Sequence, residues 1–336
     1  DISMKKVLSL ILALAMVFAL AACGEKQPSN DGNTDDDKPS RGNVIMTFGT
    51  ADTGGSMYPA GAAVSQVWTN NVQGVKCNTQ TSTGSFQNCQ DVSTGEVDVA
   101  VATSDVVLNA YNGTGKFADI GKLDNLRVIG AVYTSVLSGV ALKSSGLTYI
   151  HDLLGKRVAV GPAASATENA TLAAFGVMGI DSSNTSLENL GLGDGADSVG
   201  DGILDAAFGF AGLPIGGQLN LAATKEIQVL DMTQEEIDKV LAGNAAYIQT
   251  KIPAGTYTGQ DNDANTFGVK CLIIVTADMD ADLVYDLCKA MNEHTEEMAA
   301  GNALLKDMTD PSFLCTQMPI PLHDGAQKYY SEQGLI

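Results

Sequence analysis

The sequence predicts an α/β protein built as two similar lobes with a ligand cleft between them. Three observations lead there. Short β-branched runs alternate with helical patterns over residues 43–336, the alternation runs through the same plan twice, and small-residue loops stand between strands and the helices that follow.

In the first pass residues 44–48 read as a strand, 59–70 as a helix, 75–81 as a strand, 85–94 as a helix and 97–102 as a strand. The second pass reads strand 157–160, helix 164–177, strand 186–190, helix 196–203 and strand 206–210. The remainder returns through a strand at 266–276 and two helical stretches. Both passes carry a G-x-φ-D-φ-A pattern, φ being apolar: Gly95-Glu96-Val97-Asp98-Val99-Ala100 and Gly202-Ile203-Leu204-Asp205-Ala206-Ala207. Glycine ends a helix in the left-handed cap conformation, and the apolar run after it opens a buried strand. The lobes are expected at 43–134 plus 263–336 (lobe I) and at 135–262 (lobe II).

Met4-Lys5-Lys6 and the apolar run 7–22 have the charged head and short hydrophobic stretch of a secretory signal, too short for a membrane span. Residues 1–3 precede the expected start at Met4. The run closes on Leu20-Ala21-Ala22-Cys23, which resembles the lipobox of bacterial lipoproteins. That resemblance implies cleavage before Cys23, lipid on its thiol, and an extracytoplasmic protein anchored to the bacterial cell membrane. Residues 1–22 are therefore expected to be a signal peptide. Residues 23–42 are the lipidated cysteine and a disordered tether, since 24–42 offer nothing to a core.

The apolar fraction of 45% supports cores in both lobes. Net charge is −20, and removing residues 1–22 takes away Asp1, Lys5 and Lys6, a net of +1, leaving −21. Such a charge argues against nucleic acid as a partner. An anionic ligand would need local donors, which backbone amides at helix N-termini supply. The cysteines beyond Cys23 (Cys77, Cys89, Cys271, Cys288 and Cys315) show no metal spacing and favour buried thiols, with a Cys77–Cys89 disulfide left open.

Three loops suit a small polar ligand. Asp52-Thr53-Gly54-Gly55-Ser56-Met57-Tyr58-Pro59 follows the first strand, with glycines for close backbone approach and Pro59 suited to a first helical turn. Thr81-Ser82-Thr83-Gly84-Ser85 opens the next helix, and Gly161-Pro162-Ala163-Ala164-Ser165-Ala166-Thr167-Glu168 is the counterpart in lobe II. Strand, small-residue loop and helix N-terminus make an anion-binding arrangement at the carboxyl ends of a parallel sheet. Serine and threonine at such places also serve as plain helix caps.

Enzyme signatures are scarce. Ala196-Asp197-Ser198-Val199-Gly200 imitates a nucleophile elbow but follows a glycine-rich turn instead of a strand. His151, His294 and His323 have no paired spacing, so neither a zinc site nor a histidine base is indicated, and Gly54-Gly55-Ser56 lacks the lysine of a P-loop. No catalytic residue, metal or cofactor is expected.

The chain resembles the TAXI-type solute-binding subunits of tripartite ATP-independent periplasmic (TRAP) importers over nearly all of 43–336. The most specific stretches are Gly54-Gly55-Ser56-Met57-Tyr58-Pro59, Thr103-Ser104-Asp105, Gly155-Lys156-Arg157-Val158-Ala159-Val160-Gly161, Ile252-Pro253-Ala254-Gly255-Thr256-Tyr257-Thr258-Gly259-Gln260 and Pro319-Ile320-Pro321-Leu322-His323-Asp324-Gly325-Ala326. The resemblance implies a type II periplasmic-binding-protein fold, delivery to a TRAP permease driven by an ion gradient, and a glutamate- or glutamine-like amino acid or small organic acid as cargo. Departures occur where the family usually has glycines in the second-lobe loop, here Ala164 and Ala166, and an aromatic at Met57.

The expected cleft residues are Ser56, Tyr58, Gly84, Ser85, Ser104 and Asp105 in lobe I, with Ser165, Thr167 and Glu168 in lobe II. Amides and hydroxyls would hold a carboxylate, while Asp105 or Glu168 meets an ammonium. A monomer is expected, its membrane contact made through the lipid on Cys23. The rival readings are a lipid-anchored hydrolase and a surface adhesin or sensory lipoprotein.

Overall fold

The β-branched runs pair as strands and the small-residue loops open into helices. The computed structural model describes residues 41–51, 53, 56–163 and 165–336; the expected signal segment, Cys23 and tether residues 24–40 lie outside the described residues. Lobe I begins with β1 (Val44–Gly49), α1 (Met57–Asn71), β2 (Val75–Gln80), α2 (Ser85–Thr94), β3 (Val99–Thr103) and α3 (Ser104–Asn112). After β4 (Leu126–Leu142), lobe II holds β5 (Arg157–Ala159), α4 (Ala166–Val177), β6 (Ser186–Glu188), α5 (Leu192–Gly200), β7 (Ala206–Ala211) and α6 (Gly216–Thr224). It continues with β8 (Ile227–Val229), α7 (Gln234–Gly243) and β9 (Ile248–Ile252). The chain returns through β10 (Ala264–Thr276), α8 (Ala281–Glu293), α9 (Thr295–Gly301), the 3-10 turn Ala303–Thr309, α10 (Pro311–Cys315) and α11 (Asp324–Glu332).

Strands pair in the order β2-β1-β3-β10-β4-β7-β5-β6, with β8 beside β4 and β9 beside β10. Strands β1, β2 and β3 run parallel, as do β5, β6 and β7, so the order 2-1-3 recurs as 6-5-7. The returning strand β10 inserts antiparallel between β3 and β4. This is the strand order of the type II periplasmic-binding-protein fold. β10 pairs with β3 through residues 271–274 and with β9 through 264–268, while β4 pairs first with β10 and then with β7. These two strands are shared by both lobes. The 134/135 limit falls inside β4, and the 262/263 limit lies just ahead of β10.

The repeated aspartate has the same work in each lobe. Asp98 Oδ2 accepts from the Thr47 amide at 2.7 Å and its own amide donates to the Thr47 carbonyl at 3.2 Å. Asp205 Oδ2 accepts from the Arg157 amide at 2.8 Å and its amide donates to the Arg157 carbonyl at 2.8 Å. Each side chain thus closes the ladder between the first and third parallel strands just where the third begins. That explains why β3 starts at Val99 rather than at 97. Gly95 and Gly202 sit at φ +80° and +72°, the left-handed conformation the pattern calls for.

Each lobe buries two cores, one on either face of its sheet. In lobe I, Trp68, Leu287 and Tyr330 fill one face and Val92, Val107 and Phe117 the other. In lobe II the corresponding cores hold Phe175 and Ile237, and Val199 and Leu221. The Trp68 indole N–H donates to the Leu287 carbonyl at 3.0 Å, which lets a polar atom enter the core satisfied. Helix α5 begins at Leu192, earlier than the glycine and aspartate content of 191–195 predicts. Glycine is needed there for contact: a Cβ on Gly195 would stand 2.9 Å from the Ala159 Cβ of β5. Ser198 lies inside this helix with its hydroxyl donating to the Asp194 carbonyl at 2.8 Å. The five described cysteines are free and buried, and burial pushes the Cys77 and Cys271 thiols up to about 11.

Candidate functional site

Three parallel strands of lobe I end at one sheet edge, and a helix starts from each. Among the described residues, no N-cap side chain bonds to the first turns of α1, α2 or α3; in α3 the Asp105 and Val106 amides turn to the Asp105 carboxyl, while the first turns of α1 and α2 can offer amides to something else. The edge is braced from within. The Thr50 hydroxyl donates to the Gln80 carbonyl at 2.8 Å, and the Thr50 carbonyl accepts from Ser82 Oγ at 2.8 Å and Asn88 Nδ2 at 2.6 Å. Asn88 Nδ2 also donates to the Val101 carbonyl at 2.7 Å, tying all three loop bases together. Asn88 escaped the sequence reading because it sits one turn inside α2, away from any small-residue loop.

The expected lobe I residues divide by what they touch. Ser85 turns inward, its Oγ accepting from the Thr103 amide at 3.0 Å and from the Thr103 hydroxyl at 3.3 Å. Gly84 adopts φ 111°, ψ −158°, a region reserved for glycine, and a Cβ there would meet nothing within 4 Å. Its amide donates to Ser82 Oγ at 2.9 Å. Ser56 and Ser104 reach the other lobe: Ser56 Oγ accepts from the Gly212 amide at 3.3 Å, and Ser104 Oγ donates to the Ala246 carbonyl at 3.4 Å. Tyr58, on the first turn of α1, is half-buried.

In lobe II, Ser165 caps α4 by accepting from the Glu168 amide at 3.1 Å, and the Thr167 hydroxyl accepts from the Phe210 amide at 3.1 Å. Glu168 Oε1 accepts from Asn189 Nδ2 at 2.8 Å, and the same nitrogen donates to the Gly161 carbonyl at 3.0 Å. These contacts bind the α4 loop to the ends of β6 and β7. Across the lobe boundary, the partners of Ser56 and Ser104 are Gly212 and Ala246, which the sequence did not single out. Neither Gly212 nor Asn244-Ala245-Ala246-Tyr247 carries a ligand-like pattern. The Gly212 loop is held by the 252–260 motif, where the Tyr257 hydroxyl accepts from the Ile215 amide at 3.0 Å and Gln260 Nε2 donates to the Ile252 carbonyl at 3.2 Å. His323, of the last motif, lies apart from these loops and caps α11 through Nδ1, which accepts from the Gly325 amide at 3.1 Å.

Asp105 is buried on the first turn of α3, and desolvation raises its carboxyl above the usual range, opposed by hydrogen bonds from Thr103 and from the Val106 and Asp105 amides. Among the described residues no group of three or more His, Cys, Asp or Glu is arranged to hold a metal ion. What the arrangement offers is donors and acceptors from two lobes set around one boundary.

The NMT1-like family model matches residues 48–334, nearly the whole described chain. The chain belongs to the NMT1-like family. Similar solved structures include the alkanesulfonate-binding protein SsuA of Xanthomonas axonopodis pv. citri, bound to MOPS, at 14% identity over 88% of this chain and 85% of that one, TM-score 0.46. The aliphatic sulphonate-binding SsuA of Escherichia coli matches at 13% over 87% and 78%, TM-score 0.46. The probable amino-acid ABC transporter extracellular-binding protein ytmK of Bacillus subtilis matches at 15% over 80% and 96%, TM-score 0.46. This NMT1-like chain thus combines the 2-1-3 and 6-5-7 strand sets with two cross-lobe hydrogen bonds at their helix-bearing side.

Proposed function

We propose that this NMT1-like chain is an extracytoplasmic solute-binding protein, which captures a small polar organic acid or amino acid between its lobes and delivers it to a membrane permease. The observation that carries this reading is the meeting of the lobes at the helix N-termini: Ser56 with Gly212, and Ser104 with Ala246. A ligand held there touches both lobes only when they approach, and that differential contact is what shifts the population toward closure. Ser56, Tyr58, Gly84, Ser104 and Asp105 face the guest from lobe I, with the α4 turn at Ser165, Thr167 and Glu168 opposite. The hydroxyls of Ser85 and Thr167 shape the loops and leave contact to the backbone.

The TAXI-like motifs support a TRAP permease as recipient and a glutamate-like cargo, and the lipobox supports anchoring through Cys23. A thermal-shift screen of amino acids and organic acids tests the binding function. A ligand at a hundred times its Kd stabilises by about 2.7 kcal/mol, and a flat response across the screen would refute the proposal. Uptake that survives ATP depletion and collapses with the ion gradient tests the permease assignment, and loss of membrane association in Cys23→Ala tests the anchor.

A further inference from the structure

Asp105 holds a buried carboxylate oxygen with no partner among the described residues. The residue is 4% exposed and its Oδ1 meets no donor. Its position is at the lobe boundary: the adjacent Ser104 hydroxyl donates to the Ala246 carbonyl of lobe II, and the next residue there, Tyr247, senses the Asp105 charge. Among the described residues no lysine, arginine or histidine stabilises the Asp105 charge, which instead bears on Tyr247 and the thiols of Cys89 and Cys271. A carboxylate in that setting is costly unless a cationic donor reaches it. Glu168, the other acid beside the loops, is already engaged by Asn189 at 2.8 Å.

We infer that Asp105 receives the ammonium group of the cargo, so that the cleft selects amino acids over deaminated acids of the same shape. The inference rests on the solute-binding reading and narrows its ligand class. An ammonium brings to Oδ1 the charged hydrogen bond it lacks, whereas a methylene in its place leaves the carboxylate unpaired. The chemistry also explains why a chain of such negative charge would hold an acid at this edge: its task is to attract the amine, while helix amides take the carboxylate.

Calorimetry on the purified full chain tests this with L-glutamate against glutarate and L-glutamine against glutaramate, alongside other L-amino acids paired with their deaminated analogues. The amino acid that binds most tightly is expected to exceed its analogue by about tenfold to a hundredfold, and Asp105→Asn to shrink that ratio to below about threefold. Equal affinity of a pair for the wild type overturns the inference, as does a ratio that persists in Asp105→Asn or one that collapses in Glu168→Gln instead. If Asp105→Asn does not fold, the wild-type ratio alone decides. Binding without preference for the amine sinks only this inference, whereas no binding of any compound sinks the solute-binding reading with it.

Discussion

Replacing Gly212 by valine puts a branched side chain where a loop of lobe II meets Ser56 of lobe I. A Cβ at this position would run into Leu304 of the 3-10 turn Ala303–Thr309 and stand 3.4 Å from Ser56 Oγ, both on lobe I. The Gly212 amide donates to that same Ser56 oxygen at 3.3 Å. Valine keeps the amide, but in the closed form its side chain pushes Ser56 and Leu304 away, which forfeits that hydrogen bond, about 1 kcal/mol, and adds overpacking of about 1–3 kcal/mol. An open form with separated lobes feels neither, so about 2–4 kcal/mol falls on the closing equilibrium. At 1.4 kcal/mol per decade this weakens apparent affinity by about 30-fold to 700-fold. The assay is calorimetry with whichever amino acid stabilises the wild type most, paired with thermal unfolding of the ligand-free variant. Wild-type affinity in a folded Gly212→Val variant would refute the closure mechanism.

The other perturbations address stability. Trp68→Ala removes a fully buried indole and its bond to the Leu287 carbonyl, and thermal or urea unfolding should register a loss of about 3–5 kcal/mol. Asp205→Ala leaves the Arg157 amide without its acceptor and should cost about 1 kcal/mol at pH 7. The Arg157 hydrogen bond holds the Asp205 carboxyl below its usual range, so its contribution exists above the unfolded carboxylate pKa of about 3.9 and disappears as pH falls through the lower folded value; the gap between variant and wild type should close there. Asp105 has the opposite sign: its raised carboxyl favours folding when protonated and opposes it as pH rises through the folded value. Ligand-free Asp105→Asn should therefore unfold at a higher temperature than wild type at pH 7 and lose that advantage near pH 3, and a variant less stable than wild type at pH 7 would contradict the burial argument.

Much of the fold was legible because each lobe repeats one local plan. Strand β1, helix α2 and strand β7 fall within a residue of their expected limits, since β-branched runs, a glycine stop and an apolar third strand agree with one another. The G-x-φ-D-φ-A repeat pointed to paired units, but the clamp of its aspartate on the neighbouring strand at Thr47 and Arg157 is a tertiary contact that no local pattern announces. Strand β4 was not delimited in advance: Leu126–Leu142 is buried nearly throughout, so it lacks the alternation of a half-exposed strand, although Asp124-Asn125 and Ser144-Ser145-Gly146 bound it. At the site, the loops announced themselves through Gly, Ser and Thr. Their partners across the boundary did not, because Gly212 and Ala246 act through backbone atoms and Asn88 through a side chain hidden in a helix. Such roles arise from tertiary placement and leave no spacing to read.

Small-angle scattering of the purified chain, recorded empty and saturated with the amino acid that stabilises it most, addresses the two-lobed mechanism directly. A smaller radius of gyration in the saturated sample is the predicted result, with Gly212→Val showing less contraction. Saturation by a bound amino acid with no change in radius would contradict the account.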